Sequence, residues 1–160
     1  MAAFNARDYS AGPAPVRELS FVGQLTREQV EQACPRLPEV QERTDIAADA
    51  FAGDRFWVSP QRYGTAVHTH LKHQIDGLND PKFRAEMSLL KAEEANRRGE
   101  RGSIRIDVFE RTNSDTVCVY DIKTGEAGLG PTRTLEIVGR VRHAFQFVPR
   151  IIITEIRPTR

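Results

Sequence analysis

Apolar side chains at Tyr63, Val67, Leu71, Ile75 and Leu78 recur every three or four residues, the spacing of one face of an α-helix. This predicts a helix over residues 63–78. Three stretches then alternate with period two: Phe83, Ala85, Met87 and Leu89; Ile104, Ile106 and Val108; Val117, Val119 and Asp121. Residues two apart in a strand share a face, so each stretch is expected to be a strand with its apolar set turned one way. The polar link 112–116, with Asn113, Ser114 and Asp115, suits a hairpin between the last two. Beyond G-E-A-G-L-G, Pro131 is well placed to open a helix carrying Leu135, Val138, Val141 and Phe145 and ending near Pro149. The closing run I-I-I-T-E-I has the β-branched, apolar composition of a buried strand.

Upstream, Thr26 and Gln29 have capping-box spacing ahead of V-E-Q-A-C, which predicts a short helix over 26–34 stopped by Pro35 and a second over 38–51. Residues 1 to about 20 mix Ala, Gly, Pro and polar side chains without periodicity and are expected to be an arm. The character of the chain changes after Trp57. The expected organisation is therefore an N-terminal arm with short helices over 1–57 and an α/β (α+β) mixed-sheet core over 58–160, ordered αβββαβ.

A chain of 160 residues has the size of one domain, and 39% hydrophobic against 28% charged residues is the balance of a globular protein. No apolar run is long enough to span a bilayer, and M-A-A-F-N-A-R-D lacks the pattern of a secretory signal, so neither a membrane segment nor a classical export route is expected. Cys34 and Cys118 give neither a disulfide framework nor a zinc spacing and are expected as buried, reduced thiols. A net charge of +1 excludes nucleic-acid binding through bulk charge. A local surface remains open: residues 131–160 hold six arginines against two acids, which fits a substrate-facing tail and a solvated helix face equally.

Candidate chemistry centres on V-Y-D-I-K-T-G, residues 119–125. In a strand Asp121 and Lys123 project together, and such a pair can hold a divalent cation and place water beside a phosphate. Asp107, in the neighbouring strand, is expected to face Asp121 across the sheet. Two adjacent carboxylates repel unless a cation or a shared proton neutralises them, and Mg²⁺ or Mn²⁺ suits oxygen donors of this kind. The bland alternatives are a surface ion pair and hydrated strand ends. His68 lies at the edge of the apolar stripe and can face the sheet, whereas His70 and His73 diverge from it, so the three cannot form one zinc cluster. Glu86 alternates with Arg84 and Ser88 on the polar face of the first strand, beside the expected place of Asp107; a salt bridge to Arg84 or Arg105 is its other reading.

These residues resemble the PD-(D/E)XK nucleases, in particular the RecB-like branch and related bacterial toxin nucleases, over residues 63–156. Asp107 and D-I-K match the family's acid on the second strand and acid-x-Lys on the third, while G-T-A-V-H (64–68) matches the branch's G-x-x-x-H. The branch's Q-x-x-x-Y is absent from the next helix, where R-V-R-H-A-F-Q-F stands. The resemblance implies a restriction-endonuclease-like core and a Mg²⁺-dependent phosphodiester hydrolase acting on nucleic acid, DNA before RNA, and leaving 5′-phosphate ends. Asp107, Asp121 and the main-chain carbonyl of Ile122 would hold the metal, with His68 and Glu86 as further ligands. Lys123 would work on the attacking water, and Arg105, Arg133, Arg140 and Arg142 would meet the substrate. E-A-G-L-G-P-T-R looks like the nuclease modules of polymorphic toxins, which implies a toxin delivered into the cytoplasm of a rival bacterium and an immunity protein as partner. A repair or phage nuclease, and a nuclease-like binding module without catalysis, are the alternatives.

Overall fold

The computed structural model describes residues 4–11, 19–53, 59–89, 104–112, 115–145 and 150–159. Among them the elements are β1 (Asn5–Ala11), β2 (Leu19–Gln24), α1 (Arg27–Ala33), α2 (Leu37–Ala50), α3 (Pro60–Asp76), β3 (Phe83–Leu89), β4 (Ile104–Arg111), β5 (Thr116–Ile122), α4 (Pro131–Ala144) and β6 (Arg150–Ile156). Six strands form one sheet in the order β2-β1-β6-β5-β4-β3. Only β5 and β6 are described as parallel neighbours, and α4 makes the crossover that such a pair requires. The helix, three strands, helix and strand predicted for the core are α3, β3, β4, β5, α4 and β6.

Local chemistry accounts for the helix starts. Thr26 and Gln29 complete the capping box of α1. Ser59 caps α3 through the Arg62 N–H, and Pro60 and Pro131 occupy first-turn positions where no N–H is needed. Every residue of β5 is buried, as befits a strand covered on both faces. Alternate residues of β5 and β6 divide the core in two. Cys118, Tyr120, Ile122, Ile152 and Ile156 pack with α1, α2 and α3, and Val117, Val119, Ile151 and Ile153 pack with α4.

Several expectations need correction. The N-terminal residues read as an arm supply β1 and β2, with β1 antiparallel to β6. Periodicity could not reveal β1, because its buried side chains are Ala6, Asp8 and Tyr9 and its register with β2 shifts between Asp8 and Tyr9. Asp8 is tolerated there because Arg150 reaches it at 3.0 Å. The cysteines are not thiols: Cys34, at the end of α1, and Cys118, on β5, form a disulfide across 84 residues. Both are completely buried on the same side of the sheet, a proximity made by packing that their separation in sequence conceals.

On α4, Leu135 is 62% exposed and Ile137 takes the core position instead. Leu78 lies beyond α3 and is 40% exposed, because the helix ends at Asp76. The apolar side chains of β3 do not share one face: Phe83 and Ala85 turn towards α3, Met87 and Leu89 towards α4. Glu86, at φ 49°, is the residue at which the strand rolls over. β4 changes face beside it, Ile104 and Ile106 on the α4 side and Val108 on the other.

No described helix is long and apolar enough to cross a membrane. Asn113 and Ser114 of the predicted hairpin link, Pro149 and the expected division at Trp57 lie outside the described residues.

Candidate functional site

The residues singled out in the sequence converge where β4 meets the last residues of β5. β4 and β5 pair as far as Val108↔Tyr120, and one further step of that register sets Asp107 opposite Asp121. There the ladder bond is replaced by a side-chain bond: the Ile122 N–H donates to Asp107 Oδ2 at 2.8 Å. Lys123 follows directly, its N–H donating to the Ile156 carbonyl at 2.9 Å. Its Nζ lies 2.6 Å from Asp121 Oδ2, so the pair projects together as the period-two spacing predicts. That oxygen is buried, and Lys123 is the cation against it.

α3 closes the other side. A Cβ on Gly64 would stand 2.9 Å from Thr124 Oγ1, so the absent side chain is what lets the helix approach the end of D-I-K-T. One turn on, His68 Nδ1 stands 3.4 Å from Asp107 Oδ1. His70 turns elsewhere, 2.8 Å from the Gln74 side-chain nitrogen and edge-on to Phe51, and His73 is exposed.

Electrostatics separates the two aspartates. Burial works to raise the pKa of Asp107, but His68, the Ile122 N–H and Lys123 outweigh it and hold this carboxyl below its ordinary value. Asp121 moves the opposite way: burial and the charge of Asp107 push it up, against the pull of Lys123 and Arg133. The two carboxyls are therefore shifted in opposite directions, Asp107 down and Asp121 up. For His68 burial disfavours the cation, and Asp107 overrides it and raises the pKa.

The remaining expected residues fall into two groups. Glu86 lies across from Asp107 in the β3–β4 register, and its side chain is 4% exposed with Oε1 3.7 Å from Arg105 Nη1. Its charge is felt at His68. Arg133 donates to the Arg105 carbonyl at 2.7 Å and to Glu136 at 3.0 Å, which brings the start of α4 beside β4. Arg140 and Arg142 stand about 10 and 14 Å further along that helix, at about 1.5 Å per residue.

A divalent ion can be tested against these groups. Among the described residues no three His, Cys, Asp or Glu side chains are grouped so as to hold a metal ion. Mg²⁺, however, takes one or two carboxylates and completes its shell with water and phosphate oxygens. Two adjacent carboxylates, one of them raised by burial and by the charge of the other, fit that requirement.

Two residues that periodicity and motif did not mark also reach this place. Glu155 lies beside Asp121 in the β5–β6 register, and Arg157, counted only among the tail arginines, pairs with it at 2.5 Å. The only available signal was the alternation of E-I-R at the end of the last strand. Comparison with family models, curated proteins and solved structures finds no match to this chain.

Proposed function

We propose that this chain is a metal-dependent nuclease with a restriction-endonuclease-like core, in which Asp107 and Asp121 hold Mg²⁺ and Lys123 acts on the attacking water. The observation that carries the reading is the Asp107–Asp121 pair with Lys123 against it. Burial and mutual repulsion raise Asp121, a penalty that a bound dication would remove. The element order from α3 to β6, with β6 parallel to β5, supports the fold assignment.

When bound, the ion would polarise the phosphoryl oxygen and lower the pKa of water. The chain's own groups do the rest. Lys123 Nζ orients the water whose oxygen forms the new bond to phosphorus, and its charge offsets that gathering on the phosphoryl oxygens. The bond to the 3′-oxygen breaks, and that oxygen takes up a proton. Asp107, braced by His68 and the Ile122 N–H, stays ionised throughout. DNA is the favoured substrate, and Arg105 and Arg133, whose charges act on His68 and Asp121, would meet its backbone.

Delivery as an interbacterial toxin held in check by an immunity protein is the biological setting we favour. Its support is the Cys34–Cys118 disulfide, since structural disulfides are rare in chains that fold and remain in a reducing cytoplasm.

Plasmid, linear DNA and RNA, each incubated with the protein in Mg²⁺ and in chelator, test the activity. Cleavage in Mg²⁺ alone is expected, with Lys123→Ala inactive but folded, because its 28% exposed side chain contributes little packing. Wild-type rates in Lys123→Ala would remove D-I-K from the chemistry. Mg²⁺ should also raise the melting temperature of the wild type, but not of Asp107→Asn or Asp121→Asn.

A further inference from the structure

Three consecutive residues at the end of β6 grip the chain that leaves β5. The Ile156 carbonyl accepts the Lys123 N–H at 2.9 Å. Glu155 Oε2 accepts the Leu129 N–H at 2.5 Å, and its other oxygen takes Arg157 Nε at 2.5 Å. Arg157 in turn donates through Nη1 to the Gly125 carbonyl and through Nη2 to the Glu126 carbonyl at 3.3 Å. The segment over residues 123–129 is thus tied at both ends and near its start. The fit is close, since a Cβ on Gly128 would stand 3.2 Å from Glu155 Oε2 and 3.6 Å from Arg157 Nη2.

We infer that Glu155 and Arg157 are positioning residues: they clamp the glycine-rich loop after D-I-K-T-G and thereby hold Lys123 in place against Asp121. Their effect on catalysis rests on the nuclease reading, while the clamp itself does not. A loop with glycines at 125, 128 and 130 has little stiffness of its own, so its shape has to be imposed from outside. Glu155 is 5% exposed, and at such depth a carboxylate needs a cation and hydrogen bonds, both of which Arg157 and the loop supply. All three guanidinium nitrogens of Arg157 are engaged inside the protein. This assigns the residue to the loop and sets it apart from the tail arginines that would meet phosphate.

Amide hydrogen exchange on the full-length chain, with and without Arg157→Met, measures the clamp directly. We expect exchange at Leu129 and its loop neighbours to rise about tenfold or more in Arg157→Met, with the amides of Ile151–Ile153 unchanged. Arg157→Lys, which keeps charge and stem but not the fork, should fall between the two, and it replaces Arg157→Met if the latter does not fold. In the DNA-cleavage assay kcat should drop about tenfold while KM and the salt dependence of binding stay as in the wild type. Unchanged loop exchange in both variants would overturn the clamp. A raised KM with a salt slope lower by about one, at wild-type kcat, would overturn the positioning role and make Arg157 a phosphate contact. If the wild type cleaves nothing, the nuclease reading falls, and loop exchange alone then supports or refutes the clamp.

Discussion

His68 and Asp107 brace each other, and the bracing has a pH signature. The folded-state pKa of His68 lies above its ordinary 6.5, because the Asp107 carboxylate outweighs burial. The protonated form is therefore favoured by folding. The stability this contributes is present in full below about pH 6.5 and is lost as pH rises through the raised value. In chelator, the melting temperature of the wild type should fall relative to His68→Ala across that window, and His73→Ala should track the wild type, since His73 is exposed. Parallel curves for wild type and His68→Ala would show that the 3.4 Å approach to Asp107 carries no energy. At this scale the sequence was informative where one element alone set the geometry. Asp121 and Lys123 share a face because a strand has period two, and His68 and Gly64 share one because a helix has nearly four. Glu155 and Arg157 were illegible for the converse reason: their partners, Gly125, Glu126 and Leu129, lie some thirty residues upstream and meet them only through the β5–β6 pairing.

Elements were recovered where a capping signature or an apolar stripe stood in the sequence, as in α1 with its capping box and α3 with its buried Tyr63, Val67, Leu71 and Ile75. They were missed where pairing with a distant strand replaced periodicity, as in β1, whose inward side chains include a carboxylate matched by Arg150. β3 was placed but its faces were not, because one residue at positive φ, Glu86, turns the second half of the strand over. That rollover occurs opposite Asp107, and the acid it carries lies 3.7 Å from Arg105 and is felt at His68. The packing of α3 on the end of β5 is open to test through Gly64. Alanine is better than glycine in a helix by about 1 kcal/mol, so Gly64→Ala should stabilise unless the new Cβ is obstructed. Here it would meet Thr124 Oγ1 at 2.9 Å. We expect Gly64→Ala to lower the melting temperature in the wild-type background and to raise it in Thr124→Ala, where the obstructing oxygen is gone. An equal effect in both backgrounds would mean that helix and strand end are not in contact there.

For the whole molecule, length and composition correctly indicated a folded chain with a buried core, but the tie between its two sequence halves was not visible. Cys34 and Cys118 are 84 residues apart, and the disulfide fastens the α1–α2 segment to the central strand that carries Asp121. Closing a loop of that length removes entropy from the unfolded chain worth at most about 4.5 kcal/mol in the chain-entropy model. Domains of this size are stable by about 5–15 kcal/mol, so the bridge is a large share of what keeps the site assembled. Each kcal/mol moves the melting temperature of a domain of 150–250 residues by about 2–4 °C. The double variant Cys34→Ala, Cys118→Ala should therefore melt roughly 10–20 °C below the oxidised wild type, and lower still by whatever the alanines lose in packing against Val30, Leu37 and Tyr120. Wild type unfolded and refolded in reductant should match the double variant, whereas folded protein treated with the same reductant should resist it, because both sulfurs are fully buried. Equal melting temperatures for wild type refolded with and without reductant would show that the two thiols are not bridged in solution. They would also remove the disulfide as support for the proposed delivery out of a reducing compartment.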